Sequence, residues 1–355
     1  MTQAHINRIA TAVPPHDVHQ AFLKFMTPAM PEGKARTVFQ RMAHRAGIRH
    51  RHSVLHEGGL VEADDPHPGF YRRGAYPGTA RRMRVYEEHA PGLAEQAVRA
   101  LDLGDEAGRI THLVVASCTG FVAPGLDQLL ARRLGLRADL QRTLIGFMGC
   151  SAAVPALRVA QATVVADPAA RVLVVNLELC TLHLQETDNV EIALSFLLFG
   201  DGCAAALVTA EPQGFALGDF RNCLIPETEG HITWHVGDQG FIMHLSGQVP
   251  ARITQALRED PDFLLRNEGT QAVDLWAVHG GGKTVLDAVQ AGLSLPDDAL
   301  AASRGVLAAH GNMSSATVMF VLAGMLQTAT PGQRGLAMAF GPGMVAETFR
   351  FAAVN

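Results

Sequence analysis

Short apolar runs alternate along this chain with longer segments whose apolar residues recur every three or four positions. Residues 5–13 read as an opening strand closed by Pro14-Pro15, and residues 35–47 as a basic helix. Residues 56–80 are dense in Gly, Pro and Asp and read as a long surface excursion. The pattern then becomes regular: an amphipathic helix over 88–102, strand 111–117, helix 125–134, strand 142–147, helix 150–165 and strand 171–178. Helix 189–199 ends at a tight turn, Phe199-Gly200-Asp201-Gly202, before strand 203–209, and residues 211–222 join this half to the next. The theme returns as helix 250–267, strand 273–278, helices 283–292, 297–308 and 312–327, and strand 335–340. Strands alternating with helices in this way imply a layered α/β fold with helices covering sheets.

The two stretches resemble each other in order and spacing. Thr-His-Leu-Val-Val-Ala-Ser over 111–117 reads like Val-Asp-Leu-Trp-Ala-Val-His over 273–279, and His279 lies 162 residues after Ser117. The same separation of 162 takes Gly149-Cys150 onto Gly311-Asn312. Arg171-Val-Leu-Val-Val and Arg334-Gly-Leu-Ala-Met match at 163. Collinear matches at nearly one spacing indicate two duplicated halves. They are placed at 1–218, carrying Cys150, and 219–355, carrying His279 and Asn312.

Composition narrows the class. With 355 residues, 48% apolar and 18% charged, the chain can build an ample core. A net charge of −5 argues against a general nucleic-acid-binding surface. The five cysteines are odd in number and none are paired at metal-binding spacing, which fits reduced thiols in a cytoplasm. His50, His52 and His56 lack helical ligand spacing, so no metal is expected. Neither an N-terminal signal pattern nor a membrane span is expected.

The candidate chemistry sits on the repeat. Cys150 stands where an apolar strand turns sharply into a helix, and a helix N-terminus favours the thiolate. His279, in Val-His-Gly-Gly-Gly, and Asn312, in His-Gly-Asn-Met-Ser-Ser-Ala, supply a base and an amide. In two stacked halves related by a pseudo-twofold axis, Cys150 and Asn312 become mates across that axis, with His279 beside them. The order Cys, His, Asn also occurs in papain-like hydrolases, but the strand–Cys–helix repeat argues against that reading.

Phe39-Gln40-Arg41-Met42, Gly149-Cys150, Leu198-Phe199-Gly200-Asp201-Gly202, Gly311-Asn312-Met313-Ser314-Ser315-Ala316 and Phe340-Gly341-Pro342-Gly343 together resemble the chalcone synthase-like, or type III, polyketide synthases. The resemblance implies a thiolase-like αβαβα fold built from two similar halves. It also implies a homodimer, acyl-CoA primers with malonyl-CoA as extender, and no cofactor beyond CoA thioesters as substrates. Within it, Cys150 is the nucleophile, and His279 and Asn312 stabilise the enolate from malonyl decarboxylation. Phe199 and Met243 fall at gatekeeper positions, and Cys118, His183, Trp234 and Ser314 at cavity positions. Arg41 and Arg45 fall where CoA phosphates are held, while Val38 replaces a third basic residue that Lys34 or Arg36 can stand in for. Gly280 follows the histidine where the family usually has Pro, and Ala123 stands where relatives place a Met reaching into the partner subunit. The nearest rival is a β-ketoacyl-ACP synthase III-like enzyme, against which Gly341-Pro342-Gly343 counts. The segment around Cys180 and His183 resembles bacterial members that use medium- or long-chain fatty acyl starters to make alkylresorcinols or alkylpyrones.

Overall fold

The computed structural model describes residues 2–354. Nine strands form one continuous ladder in the order Leu275–Val278, Arg334–Gly341, Val345–Val354, Gly214–Leu224, His5–Ala12, Asp201–Thr209, Val172–Leu179, His112–Ser117, Gln141–Gly146. The duplication shows in the pairing senses. In one half, His112–Ser117 to Val172–Leu179 is parallel, and the next two steps, to Asp201–Thr209 and to His5–Ala12, are antiparallel. In the other half, Leu275–Val278 to Arg334–Gly341 is parallel, and the steps to Val345–Val354 and Gly214–Leu224 are antiparallel. Gln141–Gly146 adds a parallel strand at one edge.

Two helices, Ala153–Ala166 and Ala316–Thr328, stand at corresponding points of the halves and form the central layer. Both are apolar on nearly every side, as a helix covered by sheets must be. Strand residues alternate between layers: Val172 and Val174 face the central helices, whereas Leu173, Val175 and Leu177 face the outer layer with helix Thr79–Arg99. Trp276, Val278, Leu336 and Met338 face helices Val249–Glu259 and Lys283–Leu293 on the other side. The result is the expected layered αβαβα arrangement. The stretch Gly149–Ala166, long and apolar enough to cross a membrane, includes one of these central helices. All five cysteines are free.

Several boundaries differ from the sequence reading. The helix expected at 88–102 begins at Thr79, because Arg82 in its polar first turns is buried. Its guanidinium donates to the carbonyls of Pro77, Leu182 and Leu184. The helix expected at 250–267 breaks into Val249–Glu259 and Asp262–Leu265, since Pro261 cannot donate and restrains Asp260. Residues 211–222 are not a simple joiner but largely the strand Gly214–Leu224, paired with the C-terminal strand. The turn expected at Phe199–Gly202 is only a short extended link, because Asp201 already belongs to a strand. The hairpin Ile232–Gly237 with Gly240–Leu245 and the strand Val345–Val354 had no counterpart in the pattern.

Candidate active site

The strand Gln141–Gly146 leaves the sheet through a strained turn in which Phe147 and Gly149 are left-handed, with φ of 57° and 61°. Only glycine fits at 149, since a Cβ there would lie 2.3 Å from Pro342 Cδ. A 3-10 turn, Gly149–Ser151, carries Cys150 before the helix starts at Ala153, so the thiol precedes the helix proper. The corresponding turn in the other half has Gly311 at φ 69°, then Asn312, then the helix from Ala316. The helix expected from 312 therefore begins four residues later, and the freed residues shape the site.

Asn312 is fixed at three points. Its N–H donates to Leu198 O (2.8 Å), its Oδ1 accepts from Ser314 N (2.8 Å), and its Nδ2 donates to Gly281 O (3.2 Å). Asn312 Oδ1 stands 4.0 Å from Cys150 Sγ. His279 follows the strand Leu275–Val278, and its N–H donates to Met338 O (2.8 Å). The imidazole packs on Gly281, where a Cβ would sit 3.5 Å from its Nε2. The ring is buried, and neither nitrogen has a hydrogen-bond partner among the described residues. Gly280 packs on Leu307 and Ser303.

Burial dominates the electrostatics. It pushes the Cys150 thiol up to about 11, against the lowering effect of the Ser314 hydroxyl and with a further raising effect from Glu178. It pushes His279 down to about 4. Each group taken singly is therefore neutral, and desolvation outweighs the helix-terminus effect expected for Cys150. Moving the thiol proton onto the imidazole would create two opposite charges, whose mutual attraction works against the desolvation that keeps each group neutral.

Cys118, Cys150, Phe199, Trp234, Met243 and Ser314 line one apolar cavity. His183 stands one layer back. It is fully buried, its Nε2 donates to Thr119 O (2.7 Å), its Nδ1 accepts from Phe241 N (3.0 Å), and its ring stacks on Phe241. Burial holds it down to about 3, so it is a neutral prop for the wall. Trp234 packs edge-on against His183 and donates from Nε1 to Cys118 O (2.8 Å). Arg41 and Arg45 are exposed on helix Lys34–Arg45 without ion-pair partners among the described residues, whereas Arg36 is engaged with Glu32 and Met30 O. No group of three metal-ligating side chains occurs among the described residues.

Sequence reasoning passed over Glu178. It is fully buried beside the cavity, accepting from Cys118 N (2.9 Å), the Thr119 hydroxyl (2.9 Å) and the Ser315 hydroxyl (2.5 Å). Burial pushes it up to about 7 despite these donors. The available signal was a single acid inside the apolar run Val-Leu-Val-Val-Asn-Leu-Glu-Leu over 172–179.

A thiol, an imidazole and an amide converging between two similar α/β halves define the thiolase-like class of acyl-transferring enzymes. Within that class the assignment is specific: the chain belongs to the chalcone and stilbene synthases, matching the N-terminal domain model over residues 1–212 and the C-terminal domain model over 219–355. It is 37% identical over 290 residues to the alpha-pyrone synthesis polyketide synthase-like Pks18 of Mycobacterium tuberculosis, covering 78% of this chain and 74% of that protein. It matches the crystal structure of PKS-I from the brown alga Ectocarpus siliculosus with TM-score 0.90 and 31% identity, over 100% of this chain and 99% of that one. The 1,3,6,8-tetrahydroxynaphthalene synthase of Streptomyces coelicolor, a bacterial type III polyketide synthase, matches with TM-score 0.86 and 29% identity over 99% of each chain. The protein is a type III polyketide synthase and thus an acyltransferase, which sets aside both rival readings of the triad.

Proposed function

We propose that this enzyme primes with a medium- or long-chain fatty acyl-CoA, extends it with malonyl-CoA, and releases an alkylpyrone or alkylresorcinol. With the Cys150 proton already on His279, Sγ attacks the starter thioester as a thiolate. The acyl–sulfur bond forms, the CoA sulfur leaves, and it takes the proton. Malonyl-CoA then loses CO₂, and the electron pair of the broken bond moves onto the thioester oxygen as an enolate. The His279 N–H and the second Nδ2 hydrogen of Asn312 hold that oxygen. The enolate carbon attacks the acyl-Cys150 carbonyl, and the thiolate leaves. Arg41 and Arg45 hold the CoA phosphates at the entrance.

The observation that supports the chemistry is the buried His279 imidazole, which has no hydrogen-bond partner among the described residues and packs on Gly281, the residue whose carbonyl accepts from Asn312 Nδ2. The fatty starter is supported by a second apolar cavity lined by Val18, Phe22, Leu55, Leu60, Tyr71 and Leu184. It shares Cys180, Phe196 and Phe199 with the cavity at Cys150, so these apolar side chains form the wall between the two, and an acyl chain on Cys150 reaches the second cavity if they move aside. The relative's description as an alpha-pyrone synthesis enzyme favours lactone closure. A homodimer is supported by the unpaired edge strand Gln141–Gly146, where Phe121, Leu144 and Met148 are exposed together. Sedimentation showing a monomer at micromolar concentration would count against it. The domain division at 218/219 and a cytoplasmic setting with reduced cysteines belong to the same proposal.

The test is incubation with labelled malonyl-CoA and acyl-CoA starters of graded length, with products resolved by mass spectrometry and Cys150→Ala as control. Alkylpyrones or alkylresorcinols from fatty starters, absent with Cys150→Ala, are expected. Cys180→Leu, which thickens the wall shared by the two cavities, should shift preference toward short starters. Turnover of aromatic starters alone, or naphthol from malonyl-CoA alone, would sink the fatty-acyl assignment.

A further inference from the structure

Arg51 is buried to 2% exposure and forms no ion pair with a carboxylate among the described residues. Asp17 and Asp201 act on it only without direct contact to its guanidinium, and a buried guanidinium with no carboxylate in contact is expensive, so its hydrogen bonds need an explanation. Nε donates to His19 Nδ1 (3.0 Å), and Nη1 donates to the carbonyls of Phe196 (3.2 Å) and Phe199 (2.7 Å). The cation stacks over Phe22 at 4.6 Å. Phe196 and Phe199 end the helix Val190–Leu198, whose last carbonyls lack intrahelical partners and carry the negative end of the helix dipole. Arg51 is thus the C-terminal cap of that helix.

The capped segment is joined directly to the Asn312 turn. Asn312 N donates to Leu198 O (2.8 Å) and Gly200 N donates to Asn312 O (3.0 Å), a bridge centred on Phe199 and Asn312. The Arg51 stem also lies on the Gly311 backbone, where a Cβ would stand 2.9 Å from Arg51 Cγ. Arg51 therefore touches both sides of the bridge that holds Asn312.

We propose that Arg51 is a positioning residue for the decarboxylation step: it clamps Leu198–Gly200 against Gly311–Asn312 and so fixes the Asn312 amide toward the reacting oxygen. Arg51 does not reach that oxygen itself and acts through the backbone of two segments. This rests on the enolate-stabilising role proposed for Asn312.

The experiment compares Arg51→Gln and Arg51→Lys in the parent and in the Asn312→Ala background. Two half-reactions are read separately: CoA release on loading of Cys150 by acetyl-CoA, whose short chain avoids the second apolar cavity that Arg51 also lines, and CO₂ release from malonyl-CoA. Arg51→Gln should slow decarboxylation by about tenfold or more while loading stays within about twofold. Arg51→Lys keeps the charge and stem but not the planar fork, and should fall between. In the Asn312→Ala background the further loss should shrink to within about twofold, because the two residues then act on one path. Equal losses in both half-reactions, a full loss that persists without the Asn312 amide, or no loss overturns the proposal. Failure of both variants to fold, judged by circular dichroism and melting, also overturns it, since Arg51 would then act on the fold as a whole. If Asn312→Ala alone leaves decarboxylation intact, the Asn312 role falls first and takes the Arg51 proposal with it.

Discussion

The thiolate at Cys150 is where the structure makes its sharpest demand. Burial pushes the thiol up to about 11. At that value only about one molecule in ten thousand carries the thiolate at pH 7. The proposed mechanism therefore assigns His279, as imidazolium, the task of stabilising that charge near neutrality. Replacing His279 with alanine removes that partner. If the cavity stays dry, the thiolate fraction falls to about 10⁻⁴. If water fills the vacated space, the thiol relaxes toward the ordinary cysteine value near 8.5, and the fraction is about 3%. Alkylation of Cys150 by iodoacetamide at pH 7 should therefore slow by about thirtyfold to about ten-thousandfold in His279→Ala.

Peptide mass spectrometry separates the Cys150 signal from that of the half-buried Cys223, while Cys118, Cys180 and Cys203 are buried and held well up by desolvation. The shape of the profile is as diagnostic as the rate. In the parent, alkylation should reach a plateau by neutral pH, because the ion pair is already formed. In His279→Ala it should climb about tenfold per pH unit through neutrality, the slope expected below the pKa of an unassisted thiol. An unchanged rate and profile in His279→Ala would refute the ion-pair reasoning. So would a parent enzyme that climbs without a plateau to pH 9.

Two further outcomes follow from the cavity wall. Glu178 is held up at about 7 from an ordinary 4.5, so the folded state binds a proton that the unfolded state has released across that window, and the stabilisation present below pH 4.5 is lost as pH rises through 7. The difference amounts to about 3 kcal/mol, so denaturant unfolding of Glu178→Gln should gain roughly that much on the parent between pH 4.5 and pH 8; a constant gap at both pH values would refute it. Trp234→Ala removes an aromatic wall from the cavity at Cys150 and its hydrogen bond to Cys118 O, so products should gain ketide units; an unchanged product spectrum would show that the ring does not limit chain growth.

The parts of this fold that follow local pattern were readable from the chain. Alternating apolar strands and periodic helices located most elements of the layered body, and the 162-residue spacing located the turn that mates with Cys150. The missed elements lack a clear pattern of their own. Gly214–Leu224 and Val345–Val354 carry mixed polarity and are fixed by pairing with strands distant in sequence, whereas the hairpin at 232–245 pairs only with itself and carries a mixed pattern that hides its strands. Glu178 and Arg51 were missed for a related reason. Each is a charge whose burial is created by segments far away in sequence, so only the folded molecule shows what it faces. His183 was placed at the cavity from resemblance, and the fold sets it behind Trp234 instead.

The duplication also explains why the site lies where it does. Both halves need a left-handed glycine to turn a chain segment into a central helix, and the two turns meet between the sheets at Gly149 and Gly311. The same turn geometry thus presents a side chain from each half to one small volume. One half supplies a thiol and the other an amide, 4.0 Å apart at Sγ and Oδ1. His279 comes from the strand that corresponds to the one ending at Ser117, and the Ser117 hydroxyl is occupied by a hydrogen bond to the Tyr86 hydroxyl (2.7 Å). The first half has therefore given its copy of that position to packing, while the second half keeps a buried imidazole with no partner among the described residues. Two equivalent frames with divergent side chains yield one asymmetric site, in which the groups proposed as nucleophile and enolate holder can be altered separately.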